Sequence, residues 1–244
     1  MVLIVGHRGG RNEWAENSLH GFRELVKLGV DAVEFDVHLT KAGELVVIHD
    51  PSLQRTAESE GLVADLALGQ RHEVILRNSD GQTIPSLEEV LDVFKDTDIE
   101  LQVELKADHE SVPYVGLEER AIDLLRARKL TERSVLTSFN PLVLETCRRL
   151  APEIRTLSSY DSNSADRMGG IAEGLKRQLE VSDIIAVEKS LLKPHWDLIA
   201  GLVPGDRLGA WVPNTEEDIK FWYSKPIRQI TTDAPTLAKK LRQG

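Results

Sequence analysis

The stretch Ala32-Val33-Glu34-Phe35-Asp36-Val37-His38 alternates residue by residue between two kinds of side chain. That is the period of a β-strand, and it sends Glu34, Asp36 and His38 to one face and Phe35 and Val37 to the other. A turn signal, Thr40-Lys41-Ala42-Gly43, follows, and then a second apolar run, Glu44-Leu45-Val46-Val47-Ile48. Two β runs joined by a short glycine-containing loop predict a hairpin, whose return strand delivers His49-Asp50 back to the level of the acids.

Working outward, similar short β-branched runs occur at 2–7, 99–105, 134–138, 154–158, 183–187, 207–211 and 228–231. With 32–38 they make eight. Helices with readable ends lie between them. Residues 18–28 follow Asn17 and Ser18 as caps and stop at Gly29, and 86–95 open with Ser86 and Glu89 in capping-box spacing. Residues 117–129 show helical recurrence of leucine, 141–150 begin at Pro141 after Asn140, and 215–223 begin at Thr215. Eightfold strand–helix alternation predicts a closed parallel (β/α)8 (TIM) barrel. The expected plan is one domain over 1–244, with the hairpin and a small insertion, 51–83, lying over the mouth after the second strand.

The composition fits a globular chain: 244 residues, 41% hydrophobic and 29% charged. No stretch approaches the roughly 20 apolar residues of a membrane-spanning helix, so no integral membrane association is expected. The start, Met1-Val2-Leu3-Ile4-Val5-Gly6, lacks the basic region of a signal peptide. A single cysteine, Cys147, rules out an intramolecular disulfide and fits a reducing compartment, so the cytoplasm is the expected location. A formal charge of −10 without a basic tract argues against nucleic acid as a partner. The same charge means that any phosphate site here needs local cations, from a few basic side chains or a metal ion.

The acids on the 32–38 face are the first candidates for such a site. Two carboxylates in a run suited to burial are unfavourable unless something positive meets them. Glu104 holds the matching place near the end of the third strand, with Lys106 two residues on and on the same face. Three carboxylates from neighbouring strands specify an oxygen-ligand site for a hard cation such as Mg²⁺, Ca²⁺ or Mn²⁺. A structural ion pair between Lys106 and one acid is the competing reading. His7-Arg8-Gly9-Gly10 follows the first strand, where barrels build their active sites. Arg8 can fork onto phosphate oxygens, and His7 and His49, both at strand ends, can exchange protons near neutral pH. His38 shares the face of Asp36 but lies further up the hairpin. Trp211 reads equally as a pocket wall and as barrel packing.

These segments also resemble a known family. His7-Arg8-Gly9, Glu16-Asn17-Ser18, Val33 to Thr40, Val46 to Pro51, Arg55-Thr56, Gly61 to Leu66, Ile84 to Leu91, Val103-Glu104-Leu105-Lys106, Trp211 and Thr231 to Pro235 resemble, in order, the signature of glycerophosphodiester phosphodiesterases. Stretch 107–205 carries little of it. The resemblance implies His7 and His49 as the acid–base pair, and Glu34, Asp36 and Glu104 as ligands to one divalent cation. It further implies Arg8 and Lys106 on phosphate oxygens, and Glu16 supporting the first-strand loop or a substrate hydroxyl. The partner would be a small-molecule glycerophosphodiester, and a homo-oligomer is compatible. Ala15 stands where the family has proline, Ser18 where it has threonine, and Val212-Pro213-Asn214 where it favours threonine and valine. Two other readings are a related barrel hydrolase acting on lysophospholipids or sphingolipids, and a non-catalytic barrel binding a phosphorylated ligand. The polar character of 51–83 speaks against the first, and the retained histidines and acids against the second.

Overall fold

The computed structural model describes residues 1–243. Its strands are β1 (Leu3–His7), β2 (Ala32–Leu39), β3 (Leu45–Val47), β4 (Glu100–Leu105), β5 (Ser134–Ser138), β6 (Arg155–Tyr160), β7 (Ile184–Glu188), β8 (Leu208–Trp211) and β9 (Gln229–Thr232). Eight of them pair in parallel around a ring that closes through β1–β2, and β3 lies antiparallel on β2 as the returning arm of the hairpin. The chain is therefore a (β/α)8 barrel, and each barrel strand falls within a residue or two of its predicted run.

Helices α1 (Leu19–Leu28), α2 (Leu87–Phe94), α3 (Leu117–Ala127), α4 (Pro141–Leu150) and α9 (Glu216–Tyr223) match the predicted ones. Five more, α5 (Ser162–Arg167), α6 (Ile171–Val181), α7 (Lys189–Leu192), α8 (Trp196–Leu202) and α10 (Pro235–Gln243), were not delimited from the sequence. Ser86 and Glu89 form the reciprocal capping box at α2. At α1 the cap is Ser18 alone, which accepts from the Gly21 amide, while Asn17 turns inward.

The alternation read in β2 sorts its side chains between two environments. Val33, Phe35 and Val37, with Leu101, Val103 and Leu105 of β4, pack outward against Phe22 and Leu25 of α1 and Leu87, Leu91 and Phe94 of α2. Phe22 meets Phe35 and Phe94 edge-on, with ring centroids 5.8 Å apart in both pairs. The opposite faces look into the barrel, and β2 and β4 pair with Glu34 beside Gln102 and Asp36 beside Glu104. Across the lumen Val135, Leu157, Ile184 and Ala186 form an apolar cluster against Trp211. One half of the interior is thus ionisable and the other greasy.

Segment 51–83 is polar on its surface but covers a core of its own. Leu53, Ala57, Val63, Leu66, Val74 and Leu76, with Ile84 just beyond the segment, pack on Val46 and Ile48 of the hairpin's return. With only single 3-10 turns, at Val63–Asp65 and Gln70–Glu73, it lacks a period from which that core could be read.

His38 fastens the returning chain. It is fully buried, and its Nε2–H donates to the His49 carbonyl (3.0 Å) while Nδ1 accepts from the Tyr114 hydroxyl (2.9 Å). Both ring nitrogens are satisfied in the neutral form, and burial pushes the imidazole down to about 4. The ring thus holds the backbone of His49.

A Cβ on Gly21 would lie 2.8 Å from the Gly9 carbonyl oxygen, so Gly21→Ala must displace the loop after β1. It should lower stability by about 1–3 kcal/mol in urea unfolding, and an unchanged midpoint would show that the loop has slack. For His38, the unfolded chain binds a proton between its ordinary value of about 6.5 and the native value of about 4. Wild type therefore loses stability from this group as pH falls through that window, by at most roughly 3 kcal/mol. His38→Gln lacks the term, so the stability gap between wild type and variant should narrow from pH 7 to pH 4.5. Parallel stability–pH curves would contradict the neutral buried ring.

Candidate active site

Glu34, Asp36 and Glu104 converge at the carboxyl end of the barrel, and each offers a carboxylate oxygen within 4.8 Å of the others'. All three are buried, Asp36 to 1% exposure. Lys106 Nζ lies 2.8 Å from Glu104 and 3.3 Å from Asp36. Arg8 Nε lies 3.4 Å from Asp36, and its backbone N–H donates to the Glu34 carbonyl (2.9 Å) and weakly to its carboxylate (3.2 Å). Asn17, in the left-handed region at φ 53°, donates from Nδ2 to Asp36 Oδ2 (2.8 Å). So the residue read as a cap instead orients an acid of the cluster.

The charges do not balance. Three carboxylates face two cations, Arg8 and Lys106, and Glu34 Oε1, Asp36 Oδ1 and Arg8 Nε are buried without a hydrogen-bond partner. Burial, and then the charges of Asp36 and Glu104, push the Glu34 carboxyl well above the usual range. Asp36 is also raised by burial, but nearby His49, Lys106 and Arg8 outweigh that and hold it low. Burial likewise disfavours the Lys106 ammonium, and Glu104 and Asp36 overcome it and raise its pKa. A divalent ion fits this donor set. It would turn one excess negative charge into one excess positive charge, which suits a monoanionic ligand. The ion pair of Lys106 with the acids is present too, and together with Arg8 it accounts for two of the three negative charges.

His7 and His49 line the same cavity, of about 190 Å³, together with Arg8, Glu34, Glu104 and Trp211. Each ring has its own carboxylate. His7 Nδ1–H donates to Asp233 (2.5 Å), which leaves Nε2 3.7 Å from Glu34. His49 Nδ1–H donates to Asp50 (2.5 Å). Burial lowers the pKa of His7 against the opposing effect of Asp233. Asp233 is raised by burial, but the His7 hydrogen bond and the charges of His7 and Arg11 bring it down to about 2. Arg11 Nε lies 2.9 Å from Asp233, and Asn214 donates to its other oxygen (2.7 Å). Arg55 donates to both oxygens of Asp50 (2.6 and 2.8 Å) and grips Glu16 through two nitrogens (3.1 and 2.8 Å). Partial burial raises the Asp50 carboxyl, but the hydrogen bonds from His49 and then Arg55 outweigh it and hold the group below the usual carboxylate range.

Glu16 thus faces Arg55, with Arg8 3.8 Å away. Trp211 does both things read for it: its Nε1–H donates to the Ala186 carbonyl (3.0 Å), its ring stacks edge-on with Phe139, and it walls the cavity. His38 stands apart from the acid group, held by Tyr114 and the His49 carbonyl. Asp50, Asp233 and Arg55 have no role assigned from the sequence, and Asn17 is read there only as a cap. The adjacency of Asp50 to His49 could have suggested one of them, whereas Asp233 is 226 residues from His7.

Comparison with known proteins identifies the family of the chain. The chain is 30% identical to a glycerophosphodiester phosphodiesterase of Caldanaerobacter subterraneus subsp. tengcongensis, over 100% of this chain and 99% of that protein. It is 34% identical to one of Bacillus altitudinis at the same coverage. The crystal structure of a candidate glycerophosphoryl diester phosphodiesterase from Agrobacterium tumefaciens superposes with a TM-score of 0.89 at 26% identity, covering 100% of this chain and 98% of that one. Residues 7–199 match the glycerophosphoryl diester phosphodiesterase family model, and the chain belongs to that family.

Proposed function

We propose that the chain hydrolyses glycerophosphodiesters to glycerol 3-phosphate and an alcohol, with His7 and His49 as the acid–base pair and a divalent cation on Glu34, Asp36 and Glu104. The observation that carries this reading is that two imidazoles, each backed by its own carboxylate, line one cavity with a buried acid cluster. Mg²⁺ or Ca²⁺ suits the all-oxygen donor set, and Mn²⁺ is compatible. When bound, the ion supplies charge neutralisation and polarisation of a phosphoryl oxygen. Arg8 and Lys106 hold the remaining phosphoryl oxygens and offset charge developing on them.

Asp233 and Asp50 each fix a ring with Nδ1 protonated, so Nε2 of each is the atom that exchanges protons with the substrate. One ring takes the proton of the attacking oxygen as the new P–O bond forms. The other gives a proton to the alcohol oxygen as its P–O bond breaks. If the attacker is the neighbouring glycerol hydroxyl, the product is a cyclic phosphate, which water opens with the histidines in exchanged roles. Family resemblance favours that route over direct attack by water. A lone buried thiol, Cys147, fits a cytoplasmic setting, and no helix among the described residues is long and apolar enough to cross a membrane.

Removing a true general acid or base lowers turnover about 10²–10⁴-fold. His7→Ala and His49→Ala should each do so in a glycerol 3-phosphate release assay, with folding intact by circular dichroism. A variant that keeps more than about a tenth of the rate would lose its assigned role. Chelation with EDTA should silence the wild type, and Mg²⁺ or Ca²⁺ should restore it. Full activity in chelator would leave the acids a structural role only.

A further inference from the structure

A second cavity, of about 340 Å³, lies beside the mouth between the loop after β1 and the 51–83 insertion. Its walls include Arg11, Arg55 and Arg77, a concentration of guanidinium groups on a chain whose net charge is −10. The two acids in the same wall are already engaged. Glu13 accepts from the backbone and hydroxyl of Thr236, and Glu16 is held by Arg55.

Two of the arginines keep unused donors. The Nε of Arg77 donates to the Gln54 carbonyl (3.2 Å), and that of Arg11 pairs with Asp233 (2.9 Å). Among the described residues, the terminal nitrogens of both have no acceptor. Thr56 lines the same cavity, is 4% exposed, and its hydroxyl has no hydrogen-bond partner. Unused guanidinium donors and a buried, unpaired hydroxyl around one polar cavity are the makings of an anion site.

The cavity is also tied to the chemistry. Arg55 holds the carboxylate that orients His49, and Arg11 holds the one that orients His7. The smaller cavity containing those rings, of about 190 Å³, takes the glycerophosphate, so an extended diester projects its alcohol beyond it. We infer that the Arg11–Arg55–Arg77 cavity binds a carboxylate or phosphate carried on the leaving alcohol, so that the enzyme prefers glycerophosphodiesters with an anionic head group. This rests on the phosphodiesterase reading above and adds the substrate class to it.

A matched pair of substrates tests it: sn-glycero-3-phosphoinositol and its 4-phosphate, which differ only in the added anion. With glycerol 3-phosphate release as readout, kcat/KM should favour the phosphorylated ester by about tenfold or more, the effect of one charge-assisted hydrogen bond. Arg77→Ala should bring that ratio toward one, Arg77→Glu should invert it, and Arg77→Lys should retain part of it. Because each result is a ratio within one variant, a partly destabilised protein still reports. Equal kcat/KM for the two esters in the wild type, or a ratio that Arg77→Ala and Arg77→Glu leave unmoved, would overturn the inference while the phosphodiesterase reading stands. So would an inorganic phosphate effect on the ester with the uncharged head group that is non-competitive and lost in Arg77→Glu, since the cavity would then serve free anion. Release from neither ester would remove the phosphodiesterase reading, and the inference with it.

Discussion

Three carboxylates with oxygens within 4.8 Å of one another, in the wall of a barrel, repel each other strongly where water is scarce. Much of this structure is arranged around that repulsion. Arg8 and Lys106 are placed to offset most of it, Asn17 takes up a left-handed backbone conformation to donate into it, and one negative charge is left over. An acidic protein that handles phosphate needs a device of this kind. The cluster concentrates negative charge where a dication would reverse its sign, so the site can attract an anion although the molecule as a whole repels it.

The surroundings follow the same logic of fixed charge. Neither histidine relies on solvent for its orientation. Asp233 and Asp50 hold the rings, Arg11 and Asn214 hold Asp233, and Arg55 holds Asp50. Arg55 comes from the insertion and Glu16 from the loop after β1, so their paired contact clasps the two segments across the rim of the mouth. Opposite the acids, Trp211, Phe139 and Leu157 present an apolar wall. Half of the lumen is thereby apolar while the other half carries the charges. Placing the ionisable half on β2 and β4 follows from the strand period, because the odd-numbered residues of those strands are wanted outside against α1 and α2.

That period is also why so much was legible in advance. Alternation in 32–38 gave both the strand and the face on which the acids lie, and β-branched runs marked the other seven barrel strands. The helices between β6 and β8 were harder to delimit for a physical reason. Ser162–Arg167, Lys189–Leu192 and Trp196–Leu202 span two turns or fewer, too short for a helical period to show. Ile171–Val181 is longer but begins at Gly170, which has no side-chain cap, and contains Gly174. In the candidate site, the residues that the sequence picks out, Glu34, Asp36, Glu104, His7 and His49, are those that declare themselves by local pattern, and the fold brings them to one mouth. Those acting through another residue are not picked out, because Asp233 and Arg55 take their meaning from partners brought close only by folding. His38 shows the limit of face-counting. It shares the parity of Asp36, yet its ring is turned to the His49 carbonyl and Tyr114.

The proposed reaction requires one dication on the acid cluster. The most direct test is a crystal of the protein grown with Mn²⁺, with anomalous scattering recorded at the manganese edge. A single strong peak within about 2–2.5 Å of oxygens from Glu34, Asp36 and Glu104 is the predicted result. A barrel mouth with no peak, its acids still paired with Lys106 and Arg8 alone, would contradict the account.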